Sequence, residues 1–325
     1  MSEHWKQRPE GGSRFAILLI RGIASYGGRM LSRLLLFPIT LYFLLVRGPE
    51  RRASASFLER VHGRPPGWLD VARHIHCFAA TILDRVFLLS GQFEKFDLRI
   101  HGAEALHAEI LKGKGVLLFG SHLGSFEVLR VLSRLRPDVT VRVVMDRGQN
   151  ATLTGLLDAL APDIAATVID AKQDGATIAL AIKDATDAGA LVGVLVDRAR
   201  PGEALKPVEF LGAPAALPSG PFLIASMLNV PVVVSFGLYR GGNRYDLHFE
   251  PFEFEKNIPR ARRRDALAQV QQRYAMRLEH YLRLAPFNWF NFYDFWSLDE
   301  AAAKPDRALA QPAAAVDDGE RSRAG

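Results

Sequence analysis

With 325 residues, 49% of them hydrophobic and 23% charged, and a mean hydropathy of +0.04, the chain is long enough for one large α/β domain with additions. That composition excludes wholesale disorder and a polytopic membrane protein. The single cysteine, Cys77, excludes a disulfide framework and any multi-cysteine metal site, and fits a reducing compartment. Net charge is +6 and it is concentrated, since residues 1–60 hold ten Lys/Arg against four acids while the rest is balanced.

The first element in chain order is the apolar stretch over residues 15–46, interrupted by Arg21, Arg29 and Arg33, with Pro38 in its densest part. Its clean run, 34–46, spans about 20 Å as a helix against a hydrocarbon core of about 30 Å. Crossing a bilayer therefore requires residues 30–46 whole, with Arg33 snorkelling to the interface. A membrane-embedded or interfacial anchor is expected over residues 1–48, in preference to a helical hairpin on the protein's own core. A segment both basic and apolar suits an anionic membrane surface better than a nucleic acid, and no nucleic-acid motif is present. Ala53-Ser54-Ala55 mimics a signal-peptidase site, but Arg47, Arg51 and Arg52 stand between it and the apolar run, so secretion is not expected.

Residues 68–89 carry Val71, Ile75, Phe78, Ile82, Val86 and Leu89 at spacings of three and four, which predicts a helix. From residue 93 short apolar runs alternate with amphipathic segments. Strands are predicted at 96–100, 116–119, 141–145, 167–169, 191–196, 207–212 and 232–238. Helices are predicted at 103–111, 126–135, 153–160, 178–185 and 221–228. This alternation predicts a mainly parallel central sheet covered by helices on both faces. A hairpin around Gly241-Gly242-Asn243 over residues 240–254 and a long helix over 260–284 complete one domain spanning 49–300. The Ala-, Pro- and charge-rich tail 301–325 is expected to be disordered.

The candidate chemistry is Gly120-Ser121-His122-Leu123-Gly124-Ser125-Phe126-Glu127, directly after the strand at 116–119. Open α/β sheets bind ligands at the carboxyl ends of their strands, which is where His122 falls. Ser125 or Gly124 can cap the following helix, leaving Glu127 in its first turn and able to reach back to the imidazole. A carboxylate on one ring nitrogen leaves the other to take a proton, so the pair reads as a general base. The alternative, a satisfied turn histidine with a helix-capping glutamate, stays open on the residues alone. Two more strand ends present polar groups on the same rim: Arg147 and Asn150 after 141–145, and Asp197-Arg198 after 191–196. These are candidates for holding substrate, with Asp197-Arg198 equally readable as a buried structural pair. His74, His76 and Cys77 do not converge on a metal at their helical spacing and read as packing. The basic run Arg260, Arg262, Arg263 and Arg264 is either a solvated face or a dock for an acidic partner or lipid headgroups. There is no Gly-x-Ser-x-Gly elbow, no Gly-x-x-x-x-Gly-Lys-Ser/Thr loop and no His-Glu-x-x-His.

These features resemble the bacterial lipid A biosynthesis (lauroyl and myristoyl) acyltransferase family, within the lysophospholipid and glycerol-3-phosphate acyltransferase superfamily. The resemblance covers residues 15–296 and rests on the basic, hydrophobic N-terminus, His122 and Glu127 as His-x4-Glu, and the Asp197 strand end. Val208-Glu209-Phe210-Leu211-Gly212-Ala213-Pro214-Ala215, Ser219-Gly220 and Asn229-Val230-Pro231-Val232-Val233 add to it. It implies an O-acyltransferase at the cytoplasmic face of a bacterial inner membrane, with no cofactor and no metal. The donor would be an acyl thioester on acyl carrier protein and the acceptor a hydroxyl of a membrane lipid. His122 would take the hydroxyl proton and Glu127 would orient it, with no covalent intermediate. A lipid or thioester hydrolase and a non-catalytic lipid-binding protein are the alternatives on the same fold. The chain departs from the family's usual Asp-Gln at Asp197-Arg198 and lacks an arginine near residues 168–170. Its aromatic block 286–296 resembles that of relatives associated with aryl polyene pigment clusters, and these departures bear on the acceptor. Physically the block reads as an interfacial belt, a wall of the acyl groove or core packing.

Overall fold

The computed structural model describes residues 28–297, apart from 133–135, 137, 149–150, 201, 254 and 256–257. The expected start of the apolar segment at residue 15, candidate Asn150 and the tail 301–325 lie outside the described residues. Three helices come first: α1 (Gly28–Val46), α2 (Gly48–His62) and α3 (Trp68–Leu89). The α/β part follows as β1 (Asp97–His101), α4 (Ala103–Ile110), β2 (Val116–Gly120), β3 (Val141–Met145), α5 (Ala151–Leu160), α6 (Pro162–Ala165) and β4 (Ile169–Asp170). It continues with α7 (Gly175–Asp187), β5 (Leu191–Leu195), β6 (Leu205–Phe210), β7 (Ala213–Pro218), α8 (Gly220–Leu228), β8 (Val232–Gly241), β9 (Arg244–Pro251) and α9 (Arg260–Leu284).

Seven strands form one sheet in the order β1-β9-β8-β2-β5-β3-β4. Five of them, β8, β2, β5, β3 and β4, run parallel, while β9 pairs antiparallel with β8 and β1 follows β9. The fold is thus the mainly parallel α/β sheet the alternation predicts. β2 is buried at all five positions because it lies between β8 and β5 with both faces covered, which is why it reads as a continuous apolar run. The hairpin differs from expectation, because its first strand is the whole of β8, and residues 240–254 supply only the end of β8, the turn and β9. β6 and β7 form a separate two-stranded ribbon. The sequence conceals β7, since Pro214 and Pro218 argue against a strand, and they are tolerated because the ribbon has no third strand to pair with.

α1 runs antiparallel along α3, with Thr40 near His76 at one end and Arg29 bonded to Asp84 at the other. Arg29 grips the Asp84 carboxylate through Nε and Nη2 at 2.7 and 2.8 Å, and the Tyr245 hydroxyl donates to the same group at 3.0 Å. Arg33 donates to the Tyr239 hydroxyl at 2.7 Å. Arg33, which would have to snorkel to the interface if the segment crossed a bilayer, instead turns inward to Tyr239 and lies 4.0 Å from the buried Asp84 carboxylate. Flanking that inner face, Met30, Leu34, Phe37, Leu41 and Leu45 are exposed, spaced three and four apart and so on one stripe, and Leu31, Tyr42 and Val46 are exposed as well. Leu69 and Trp68, also exposed, stand on α3 beyond the point where α1 turns into α2.

Candidate active site

β2 ends at Gly120, whose carbonyl accepts from Val196 N at 3.0 Å and from the Tyr274 hydroxyl on α9 at 2.9 Å. The chain then leaves the sheet through Ser121 and His122 and returns against β8. Gly124 makes that return possible. It sits at φ +73°, and a Cβ there would lie 2.0 Å from the Gly237 carbonyl oxygen on β8. Ser125 N donates to that same oxygen at 2.9 Å. On the other side the loop zips to the C-terminal segment: Gly124 N donates to Asn288 O, Phe290 N to His122 O, and Leu123 bridges Trp289.

The His122 imidazole, 27% exposed, faces the buried Asp197 carboxylate from the end of the neighbouring strand β5, with Nδ1 2.9 Å from Oδ1. The second oxygen, Oδ2, accepts from His122 N at 3.0 Å, Trp289 Nε1 at 3.2 Å and Asn291 Nδ2 at 2.9 Å. Burial alone would raise this carboxyl, but the His122 imidazole, its hydrogen bonds and nearby Arg198 overcome that and hold it below the usual carboxylate range. An ionised Asp197 requires Nδ1 to carry the ring proton, so the imidazole's basic lone pair is on Nε2.

Glu127 is placed differently from the sequence expectation. The turn after Ser125 is a 3-10 segment, Glu127–Arg130, and it carries the Glu127 carboxylate into an ion pair with Arg85 of α3 at 2.6 Å. Ser125 Oγ donates to Glu127 at 3.0 Å, so this hydroxyl serves the carboxylate and makes no side-chain cap. The orienting carboxylate on Nδ1 is thus Asp197, 75 residues away in sequence. Asp197 itself, expected to hold substrate, is 1% exposed and bonded to protein groups.

The remaining candidates are committed to the scaffold. Arg198 donates through Nε to Asn291 Oδ1 and through Nη2 to Phe290 O at 2.8 Å, and lies over the Tyr293 ring. Arg147 fastens α5 and α6 to the end of β3 through Asp158 at 2.9 Å and Ala165 O at 3.2 Å. β3 is two strands from β2, on the order of 10 Å. The basic run opening α9 follows β9, which ends at the amino edge of the parallel strands, opposite His122. The aromatic block resolves largely as core packing around the His122 loop: Trp289, Phe290 and Phe295 are buried, and Trp289 packs on Phe57, Phe210 and Phe295. Sequence reasoning missed Arg85, Trp289 and Asn291. A lone arginine in the apolar second half of a helix was the available signal for Arg85.

One group among the described residues, His101, Asp246 and His248, has donor atoms close enough to hold a metal ion. Asp246 is already neutralised by Arg244 at 2.8 Å and Arg240 at 3.3 Å, which opposes a cation there.

His74, fully buried on α3, links α2 to the site. Its Nδ1 meets Ser54 Oγ at 2.8 Å and its Nε2 meets Trp289 O at 2.8 Å. Burial lowers its pKa to about 4. Between about pH 6.5 and 4 the unfolded chain takes up a proton that the folded chain refuses, so stability falls as pH falls through that window, by about 3 kcal/mol in full. Denaturant midpoints measured from pH 7.5 to 4.5 are expected to drop more steeply for the wild type than for His74→Gln. Equal slopes would remove His74 from the account.

The family model for bacterial lipid A biosynthesis acyltransferase matches residues 83–297, from the second half of α3 to the end of the aromatic segment. The chain belongs to this family. No curated protein matches the chain. Membership makes the protein an acyltransferase of the lipid A biosynthesis type, and the matched residues contain Arg85, His122, Glu127, Asp197, Trp289 and Asn291. α1 and α2 precede the match.

Proposed function

We propose that the protein transfers a fatty acyl group from an acyl thioester, carried on acyl carrier protein, to a hydroxyl of a membrane lipid related to lipid A precursors. The observation that carries the reading is the Asp197–His122 pair at two adjacent strand ends, with the imidazole partly open to solvent. His122 Nε2 takes the acceptor's hydroxyl proton as the oxygen attacks the thioester carbonyl. Asp197 stabilises the imidazolium, the C–O bond forms as the C–S bond breaks, and the proton passes from His122 to the leaving thiolate. General-base assistance of this kind contributes roughly 10²- to 10⁴-fold.

The exposed stripe of α1, with Trp68 and Leu69, supports seating on a membrane. α1 is long and apolar enough to cross a bilayer by length and composition. Because its inner face is ion-paired to the domain, lying in the interface with the stripe in the acyl region suits it better. The basic N-terminal charge favours an anionic leaflet, and a thioester donor made in the cytoplasm places that leaflet on the inner membrane's cytoplasmic face. At the C-terminal end of α1, Phe43, Ile75, Phe78 and Phe292 line a narrow apolar crevice together with the ion-paired Arg47 and Glu50.

Labelled dodecanoyl–acyl carrier protein incubated with the protein and total bacterial membrane lipid is expected to yield a labelled lipid ester, identified by mass. Label appearing only as free fatty acid would make the protein a hydrolase and overturn the proposal.

A further inference from the structure

We infer that Asn291 and Trp289 of the C-terminal segment are positioning residues for the His122 imidazole, acting through Asp197, and that Arg198 sets Asn291 for this task. The inference rests on the functional reading above, in which His122 is the base, and deepens it.

A carboxylate has about four acceptor sites, two on each oxygen, and four N–H groups converge on the Asp197 carboxylate. Oδ1 takes the ring N–H of His122, while Oδ2 takes His122 N, Trp289 Nε1 and Asn291 Nδ2. Two donors come from the catalytic loop itself and two from the C-terminal segment. The loop's donors alone leave the carboxylate able to pivot about their common residue. Trp289 and Asn291 approach from a second chain segment and fix the plane of the group, which keeps Oδ1 aimed at Nδ1.

An asparagine amide can present either its oxygen or its nitrogen, and the wrong choice would put oxygen against oxygen. Arg198 removes the ambiguity. Its Nε donates to Asn291 Oδ1, so the amide NH2 must face Asp197. Arg198 also donates to Phe290 O, and Phe290 N in turn donates to His122 O, so the guanidinium ties the segment to the same loop that carries the histidine. Asn291 is 2% exposed and Trp289 is fully buried, so neither is placed to touch substrate. Their effect is transmitted through Asp197.

The test compares wild type, His122→Ala, Trp289→Phe and Asn291→Ala as full-length, histidine-¹⁵N-labelled proteins in detergent micelles. The readouts are the downfield imidazole N–H spectrum and the turnover of dodecanoyl–acyl carrier protein with membrane lipid. The wild type is expected to show a slowly exchanging Nδ1 proton that is absent from His122→Ala and broadened by exchange in Asn291→Ala. Asn291→Ala should keep the wild-type KM and lose roughly 10- to 100-fold in kcat, the scale of a displaced catalytic group. Trp289→Phe, which retains ring packing and removes one N–H, should show the same signature to a smaller extent. A folded Asn291→Ala with an unchanged resonance and kcat would overturn the inference. Should Asn291→Ala fail to fold, an unchanged resonance in Trp289→Phe would overturn it equally. Full turnover by His122→Ala would instead remove the functional reading itself, whereas loss in His122→Ala beside unchanged Asn291 and Trp289 variants would remove only the positioning roles.

Discussion

Replacing Asp197 with asparagine is expected to lower acyl transfer by about 10³- to 10⁴-fold while leaving the protein folded. The carboxylate accepts from the Nδ1 side of His122 and from three further N–H groups. An amide in its place offers a single acceptor oxygen. If that oxygen serves Trp289, Asn291 and the backbone, its NH2 points at Nδ1 and selects the tautomer with the proton on Nε2. The imidazole then has no basic lone pair facing substrate. The same assay on Glu127→Gln should show a smaller loss, because Glu127 is held by Arg85 and Ser125, and the amide keeps its oxygen to accept from Arg85 while its NH2 can donate to the Ser125 hydroxyl oxygen. Initial rates at equal folded protein rank the two variants. A greater loss in Glu127→Gln than in Asp197→Asn would return the orienting role to Glu127.

Gly124→Ala is expected to destabilise the fold by at least about 3 kcal/mol and to lower the melting temperature by roughly 5 °C or more. Two effects combine. The residue sits at φ +73°, where an L side chain is strained, and the added Cβ would fall 2.0 Å from a backbone oxygen that cannot rotate away. Relief requires the 121–125 loop to lift off β8, which breaks the Ser125–Gly237 bond and moves His122. Activity should therefore fall together with stability. Gly155→Ala is the matching control, since it is helical with nothing within 4 Å of its Cβ. It should stabilise by up to about 1 kcal/mol. Wild-type melting and turnover in Gly124→Ala would mean that the loop does not rest on β8 as described.

Much of this architecture is legible in the sequence for one reason. Parallel strands read as short apolar runs, so β2, β3 and β5 are found within a residue of their ends. α3 and α9 are found at their ends, because each carries one apolar face at a spacing of three and four. His122 is legible as a strand-end residue. Its partner is not, because proximity along the chain favours Glu127, whereas the Asp197–His122 contact exists only through the adjacency of β2 and β5. That adjacency follows from strand order, which no local pattern encodes. The same holds for Trp289 and Asn291, whose block reads equally as a membrane belt, a groove wall or a core. Only packing against Phe57 and Phe210, with the hydrogen bonds to Asp197, makes it the floor of the site. Arg33 misleads for a related reason: a charge in an apolar run reads as surface until its buried partners are known.

The central claim is that His122 removes the acceptor's hydroxyl proton. It is tested most directly by the initial rate of labelled lipid ester formation from dodecanoyl–acyl carrier protein by His122→Ala, in vesicles of total membrane lipid and beside equal wild-type protein. The predicted rate is below about one hundredth of the wild-type rate, with melting behaviour retained, since His122 lies on the rim and is partly exposed. A folded His122→Ala that forms the ester within tenfold of the wild-type rate would contradict the account.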